Sequence, residues 1–220
     1  MSLPFEVISC PGATALEEIN RIAASGRGYP VLLGGTEDYE QIIENAEDIE
    51  DDAEEIAKRA LAIDTDAWLA ERFDSDPEFY EEINGEWPED IENSNKIIGH
   101  TDISGGEPLD EVHIAVLPTS DSWRVPCLLK FGGWNECPFA EEHAAMFRRW
   151  QEKYGARVIT VTGDTIEMMV DRPPTTRDEA LELAREQYLY CADIVQQGTE
   201  TIEALAATLL DGPVWFFWWD

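Results

Sequence analysis

The chain has 220 residues, 44% of them apolar, and carries 47 Asp and Glu against 15 Lys and Arg, a net charge of -32. That much apolar content can fill one large or two small cores, which argues against disorder, and a field this negative repels polyanions, which argues against a nucleic-acid partner. MSLPFEVISC resembles no leader segment and no stretch approaches the roughly 18 to 20 apolar residues of a membrane span. Four scattered cysteines (Cys10, Cys127, Cys137, Cys191) form no CxxC pair. The expectation is a folded cytoplasmic protein with reduced thiols, no membrane contact and no cofactor.

In chain order, PFEVIS (4–9) reads as a strand and ALEEINRIAA (15–24) as a helix stopped at Gly26 and Gly28. YPVLLGG (29–35) reads as a buried strand running into a glycine turn, with Thr36 as N-cap of the next helix. Apolar residues from Tyr39 through Ile42, Ile43, Ala46, Ile49, Ala53 and Ile56 to Ala60 recur at helical spacing. One long helix over 37–60 follows, apolar within and acidic without. Its outer surface would hold Glu40, Glu44, Glu47, Asp48, Asp51, Asp52 and Glu55. This is the centre of the charge: residues 36–111 contain 27 Asp and Glu and only Lys58, Arg59, Arg72 and Lys96 as bases.

DAWLAERF predicts a short helix. The stretch to 110, with Asp76-Pro77, Asn84-Gly85, Trp87-Pro88 and Gly105-Gly106, predicts loop that packs down through Phe79, Tyr80, Ile83, Trp87 and Ile91. EVHIAVLP (111–118) and VPCLLKF (125–131) read as a hairpin. A helix from Pro138, capped by Cys137, would bury Phe139, His143, Met146, Phe147, Trp150 and Tyr154. ARVITVTG and DTIEMMV predict a second hairpin across Gly163-Asp164. Thr176 and Glu179 form a capping box opening a helix with Leu181, Ala184, Tyr188, Cys191 and Val195 inside, closed by Gly198. Thr199 would cap a last helix, and PVWFFWWD supplies a terminal strand.

The fold class expected is α+β: a mixed, largely antiparallel sheet covered by helices, with an N-terminal strand-helix unit and a long acidic helix. Residues 1–111 and 112–220 form the two regions of one compact body.

The segment from VPCLLKFGGWNECP through RPPTTRDEALELAREQYLYC to the terminal WFFWWD resembles a bacterial family catalogued only as a domain of unknown function, family 4253. The resemblance covers roughly residues 112–220 and implies no activity.

Motif chemistry is sparse. Cys137 at a helix N-terminus invites a thiolate reading. Six residues of helix, however, set His143 about 120° and roughly 9 Å away, so the two side chains should diverge and His143 should be a core residue. No HxxxH, HExxH or paired CxxC supports a metal site. LLGGT lacks the remainder of a phosphate loop, and Glu37 and Asp38 occupy the position an anion would take. The favoured function is a non-enzymatic binding protein, an immunity or antitoxin protein, whose acidic face engages a basic protein partner. The rival is an enzyme or small-ligand protein with a pocket near Trp134, Asn135, Cys137, Trp218 and Trp219.

Overall fold

The computed structural model describes residues 3–47, 49–75, 83–90, 95–102 and 106–220. Asp48, Phe79, Tyr80 and Ile91 lie outside the described residues. The elements are β1 (Glu6–Cys10), α1 (Ala15–Ser25), β2 (Tyr29–Leu32), α2 (Thr36–Glu47), α3 (Ala53–Ala62), α4 (Thr65–Ser75) and β3 (Val112–Leu117). They continue as α5 (Val125–Leu129), α6 (Ala140–Tyr154), β4 (Ala156–Val161), β5 (Thr165–Val170), α7 (Arg177–Tyr190), α8 (Ile202–Leu209) and β6 (Val214–Trp218).

The strands form one sheet in the order β1-β3-β2-β4-β5-β6. Only β2 and β4 run parallel; the other neighbours are antiparallel. The α+β class with a mixed, largely antiparallel sheet is therefore the observed one. Alternation divides the strands between two cores. Ala115, Val158, Met168, Trp215 and Phe217 face a larger core shared with Ile42 of α2, Met146, Phe147 and Trp150 of α6, and Leu183 of α7. Val112, Ile114, Val116 and Ile159 face Ile19 and Ile22 of α1 on the other side. A third, smaller cluster packs Ile56, Ala57 and Ala60 of α3 against Cys127, Ala140 and Ala144, so α3 forms an outer layer over α5 and α6.

Aromatic packing dominates the larger core. The Trp150 ring lies parallel to Phe217 at 5.5 Å and meets Tyr190 and Trp215 edge-on at 5.0 and 5.7 Å. Such pairs contribute roughly 0.5–1.5 kcal/mol each beyond the area they bury. Glu186, almost fully buried on α7, accepts from the Trp150 indole at 3.1 Å and pairs with Arg149 at 2.7 Å. On the other face the buried Glu167 carboxylate accepts backbone N–H groups of Ile98 and Gly99 at 2.7 and 3.0 Å, which pins that stretch to the sheet.

Several local expectations are corrected. The helix over 37–60 is two helices. Asp52 adopts an extended conformation and its carboxylate accepts the N–H groups of Glu54 and Glu55 at 2.9 Å, so a new helix starts there. Apolar periodicity runs on across the break because α2 and α3 both need a buried stripe. Residues 125–131 are not a strand: α5 occupies 125–129, with Pro126 in its first turn. A short apolar run cannot distinguish a buried strand from a buried helical turn. The α6 helix starts at Ala140 rather than Pro138, and Phe139 is 61% exposed rather than buried. Finally, α7 stops at Tyr190, a π-helical turn spans Ile194–Thr199, and Thr201 rather than Thr199 caps α8. Among the described residues no helix is long and apolar enough to cross a membrane.

Candidate functional site

Two regions were expected to carry function, and the structure treats them differently. On the acidic face, Glu40, Glu44, Glu47, Asp52 and Glu55 are exposed and Asp51 is half-buried. Asp52 is committed to capping α3 and Asp51 to an ion pair with Arg59 at 2.7 Å. Neighbouring Glu54 pairs with Arg124, while Arg59 also reaches Glu141 at 2.8 Å. Among the described residues no cation pairs with Glu40, Glu44, Glu47 or Glu55. Asp48 lies outside the described residues.

At the start of α2, the Asp38 carboxylate accepts the N–H of Gly35 at 3.0 Å. Burial pushes the Asp38 carboxyl above its usual range, and that backbone bond opposes the shift. The LLGGT turn thus already holds its own carboxylate where an anion would bind. Thr36 does not cap the helix; its hydroxyl lies 3.3 Å from Nε2 of His113, whose Nδ1 lies 3.0 Å from the Ser9 hydroxyl.

The second region is built by the loop between α5 and α6. The chain leaves α5 through Lys130 in the left-handed region and turns at Gly132 (φ 112°), Gly133 (φ 92°) and Asn135 (φ 47°). At Gly132 a Cβ would sit 2.1 Å from the Pro138 carbonyl oxygen and 2.8 Å from the His143 ring, so no side chain fits. Gly133 donates to Pro138 O at 2.9 Å and Cys137 to Trp134 O at 2.8 Å, which folds the loop back over the first turn of α6. The Phe139 N–H donates to the Glu142 carboxylate at 2.7 Å and fixes where the helix begins.

That start position overturns the expected divergence of Cys137 and His143. Cys137 belongs to the loop, not the helix, so the helical rotation does not apply. Its Sγ lies 3.3 Å from His143 Nε2, and His143 Nδ1 lies 2.6 Å from the Tyr190 hydroxyl. His143 is fully buried, as expected of a core residue. Phe131, Trp134 and Trp219 close around the group: Phe131 meets Trp134 edge-on at 4.8 Å, and Trp219 meets the imidazole at 5.3 Å.

The spacing is that of a nucleophile, a base and an orienting group, but the electrostatics run the opposite way. Burial pushes the Cys137 thiol far up, with nearby Cys191 adding to the shift, and pushes the Tyr190 hydroxyl well above its usual range. Burial, with Arg72 contributing, pushes His143 down to about 3. An activated cysteine needs a lowered thiol pKa beside a charged imidazole. Here the thiol, imidazole and phenol are all neutral near pH 7, and either imidazole tautomer joins them in one hydrogen-bonded chain. The group locks α6, α7 and the loop together.

Of the expected pocket residues, Cys137 and Trp219 meet His143 directly, and Trp134 packs on Phe131, whose ring lies 5.3 Å from the imidazole. Asn135 sits outside and donates to the backbone oxygen of Asp220 at 2.6 Å. Trp218 meets the Phe216 ring at a tilt, 5.8 Å between centroids, and lines a separate cavity with Gly198 and Leu205. Tyr190 was missed, since nothing local signals a partner 47 residues away. Among the described residues no group of three or more His, Cys, Asp or Glu side chains is placed to hold a metal ion.

Residues 113–220 match the family model described as a domain of unknown function, DUF4253. No curated protein and no solved structure matches the chain. The matched region contributes β4, β5, β6 and nearly all of β3, yet β2, which precedes it, lies between β3 and β4. The segment from His113 to Asp220 is thus the part of this chain that matches the DUF4253 family.

Proposed function

We infer that this is a non-enzymatic binding protein whose acidic helical face engages a basic protein partner. An immunity or antitoxin protein that neutralises a cationic toxin is the most concrete form of this reading. The observation that carries it is the set Glu40, Glu44, Glu47 and Glu55. They are exposed on two consecutive helices and, among the described residues, paired with no cation, while Arg59 and Arg124 are engaged by other carboxylates. Unpaired like charges in a solvent-facing patch contribute little to the fold and speed the approach of a cationic protein. Thiol catalysis at Cys137 is disfavoured by the raised thiol and lowered imidazole.

The test is to capture basic proteins at about 50 and 150 mM salt and then measure how fast a captured protein associates with wild type and with the E40Q/E44Q/E47Q/E55Q variant. A fall in association rate of about tenfold at the lower salt, narrowing at the higher, supports the reading. Association of the variant at the wild-type rate removes the acidic face from the interaction.

A further inference from the structure

On the side of the sheet that α1 covers, a half-open cleft of about 570 Å³ lies between that helix and strands β2, β4 and β5. Small-molecule sites usually have volumes of roughly 300–1,000 Å³. Strand register orders the lining. At one end Arg157 stands opposite Met169, and the Tyr29 hydroxyl donates to Val158 O at 2.7 Å. Tyr29 in turn lies opposite Leu117, from which the chain runs on to Thr119 and Ser120. Toward the other end Leu32 pairs with Thr160, and Gly99 packs on the Thr160 side chain, which brings in Ile97 and Ile159. The cleft is polar at one end and apolar at the other.

Its charge departs from that of the whole chain. With 47 acids in 220 residues, about three of the fourteen lining positions would be acidic by composition, yet among the described lining residues none is Asp or Glu and Arg157 alone is charged. The Arg157 side chain is 44% exposed, and of its three nitrogens only Nη2 is engaged, by Asp171 at 2.8 Å. Asp171 is itself half-exposed, and an open pair of that kind holds its partners weakly. The guanidinium therefore has donors left for a second carboxylate, which its planar fork can take through two parallel N–H bonds. The Ser120 hydroxyl, exposed at the same end, has no partner among the described residues. Met169, 42% exposed, supplies a flexible thioether wall that adapts to a guest. A cationic guest would meet Arg157 with no lining carboxylate to offset it, and a neutral one would leave Arg157 unused.

We propose that this cleft binds a small amphipathic carboxylate, its aliphatic body over Ile19, Ile97 and Ile159 and its acid group on Arg157. The site shares no residue with the acidic face or with the Cys137–His143–Tyr190 group.

Octanoate serves as the probe, with 1-octanol lacking the charge and octylammonium reversing it. Methionine methyl resonances of the full-length protein are followed by NMR during titration, and the Met169 signal is identified by its loss in Met169→Leu. Octanoate should shift that signal saturably and bind about tenfold more tightly than octanol. Octylammonium should leave it unmoved, although the net charge of -32 favours a cation over the molecule as a whole. Arg157→Gln should weaken octanoate about tenfold with octanol unchanged, and Asp171→Asn, which releases Arg157, should tighten octanoate about threefold. Both side chains are half-exposed, so neither change disturbs the core. Absence of a saturable octanoate response in wild type overturns the proposal, as does octylammonium binding as tightly as octanoate. Unchanged octanoate affinity in Arg157→Gln overturns it too, because the cleft then selects for apolar surface alone. A Met169 signal that moves with protein concentration in the absence of probe, together with a dimer in sedimentation, assigns the cleft to a second copy of the chain and likewise overturns it.

Discussion

The acidic face of α2 and α3 and the aromatic core beneath β6 sit in one molecule but are built on opposite terms. On the acidic face most of the carboxylates that matter to the fold act close by in the chain: Asp38 at the head of α2, Asp52 at the head of α3 and Asp51 on Arg59, whereas Glu54 reaches the distant Arg124. The others face water. Under β6 nearly every group is long-range and dry, from the Trp150–Phe217 stack to the hydrogen-bonded line Cys137–His143–Tyr190. Stability is concentrated in the second region and charge in the first, so the two should respond very differently to substitution. The sheet blurs the sequence boundary between the halves, because β1 and β2 of the first flank and separate strands of the second.

The largest expected effect breaks the comparison outright. Residues 113–220 expressed alone lack β2 and leave β3 and β4 with unpaired edges in mid-sheet. That fragment should show no cooperative thermal transition by circular dichroism; a sharp melt with native near-ultraviolet signal would make it an independent domain. Next, Trp150→Ala in the full chain should cost about 3–5 kcal/mol in urea unfolding, since a fully buried indole and its ring contacts are lost together.

A pH measurement sharpens the contrast inside the core. The native His143 pKa lies near 3 and the unfolded value near 6.5, so above pH 6.5 the imidazole is neutral in both states and its contribution is fully present. As pH falls below 6.5 the unfolded chain takes up a proton that the native state refuses. Stability then drops by about 1.4 kcal/mol per pH unit, about 2 kcal/mol at pH 5, until the native group titrates. Wild type should show this loss relative to His143→Phe, which starts less stable at pH 7 but lacks the slope. Parallel urea midpoints for the two proteins from pH 7 to 5 would remove His143 from the pH response.

The smallest effect belongs to the acidic face. The E40Q/E44Q/E47Q/E55Q variant should melt at the wild-type temperature or slightly above it, because like charges three and four apart weaken a helix by only a few tenths of a kcal/mol per pair. A marked loss of stability would mean that these carboxylates serve the fold.

Several signals in the chain were legible because their cause was local. Gly26 stops α1, Thr176 accepts the Glu179 N–H at the head of α7, and the hairpin of β4 and β5 turns at Gly163-Asp164, each within a few residues of its partner. The buried terminal strand and the exposed acid followed from composition in the same way. Asp52 with Glu55 three residues on was a cap signal overlooked inside an unbroken apolar period.

Tertiary structure decided what depended on distant partners. Whether VPCLLKF became strand or helix turned on β2 taking the place beside β3, and on α3 and α6 enclosing the run. The meeting of Cys137 with His143 required knowing that the loop folds back before Ala140, and the meeting of His143 with Tyr190 required α6 and α7 to dock. The sequence alone determined which residues had to be buried and where helices could begin. Which buried residues meet, and therefore the burial that keeps Cys137 and His143 neutral, depended on packing between segments whose separation leaves no local trace.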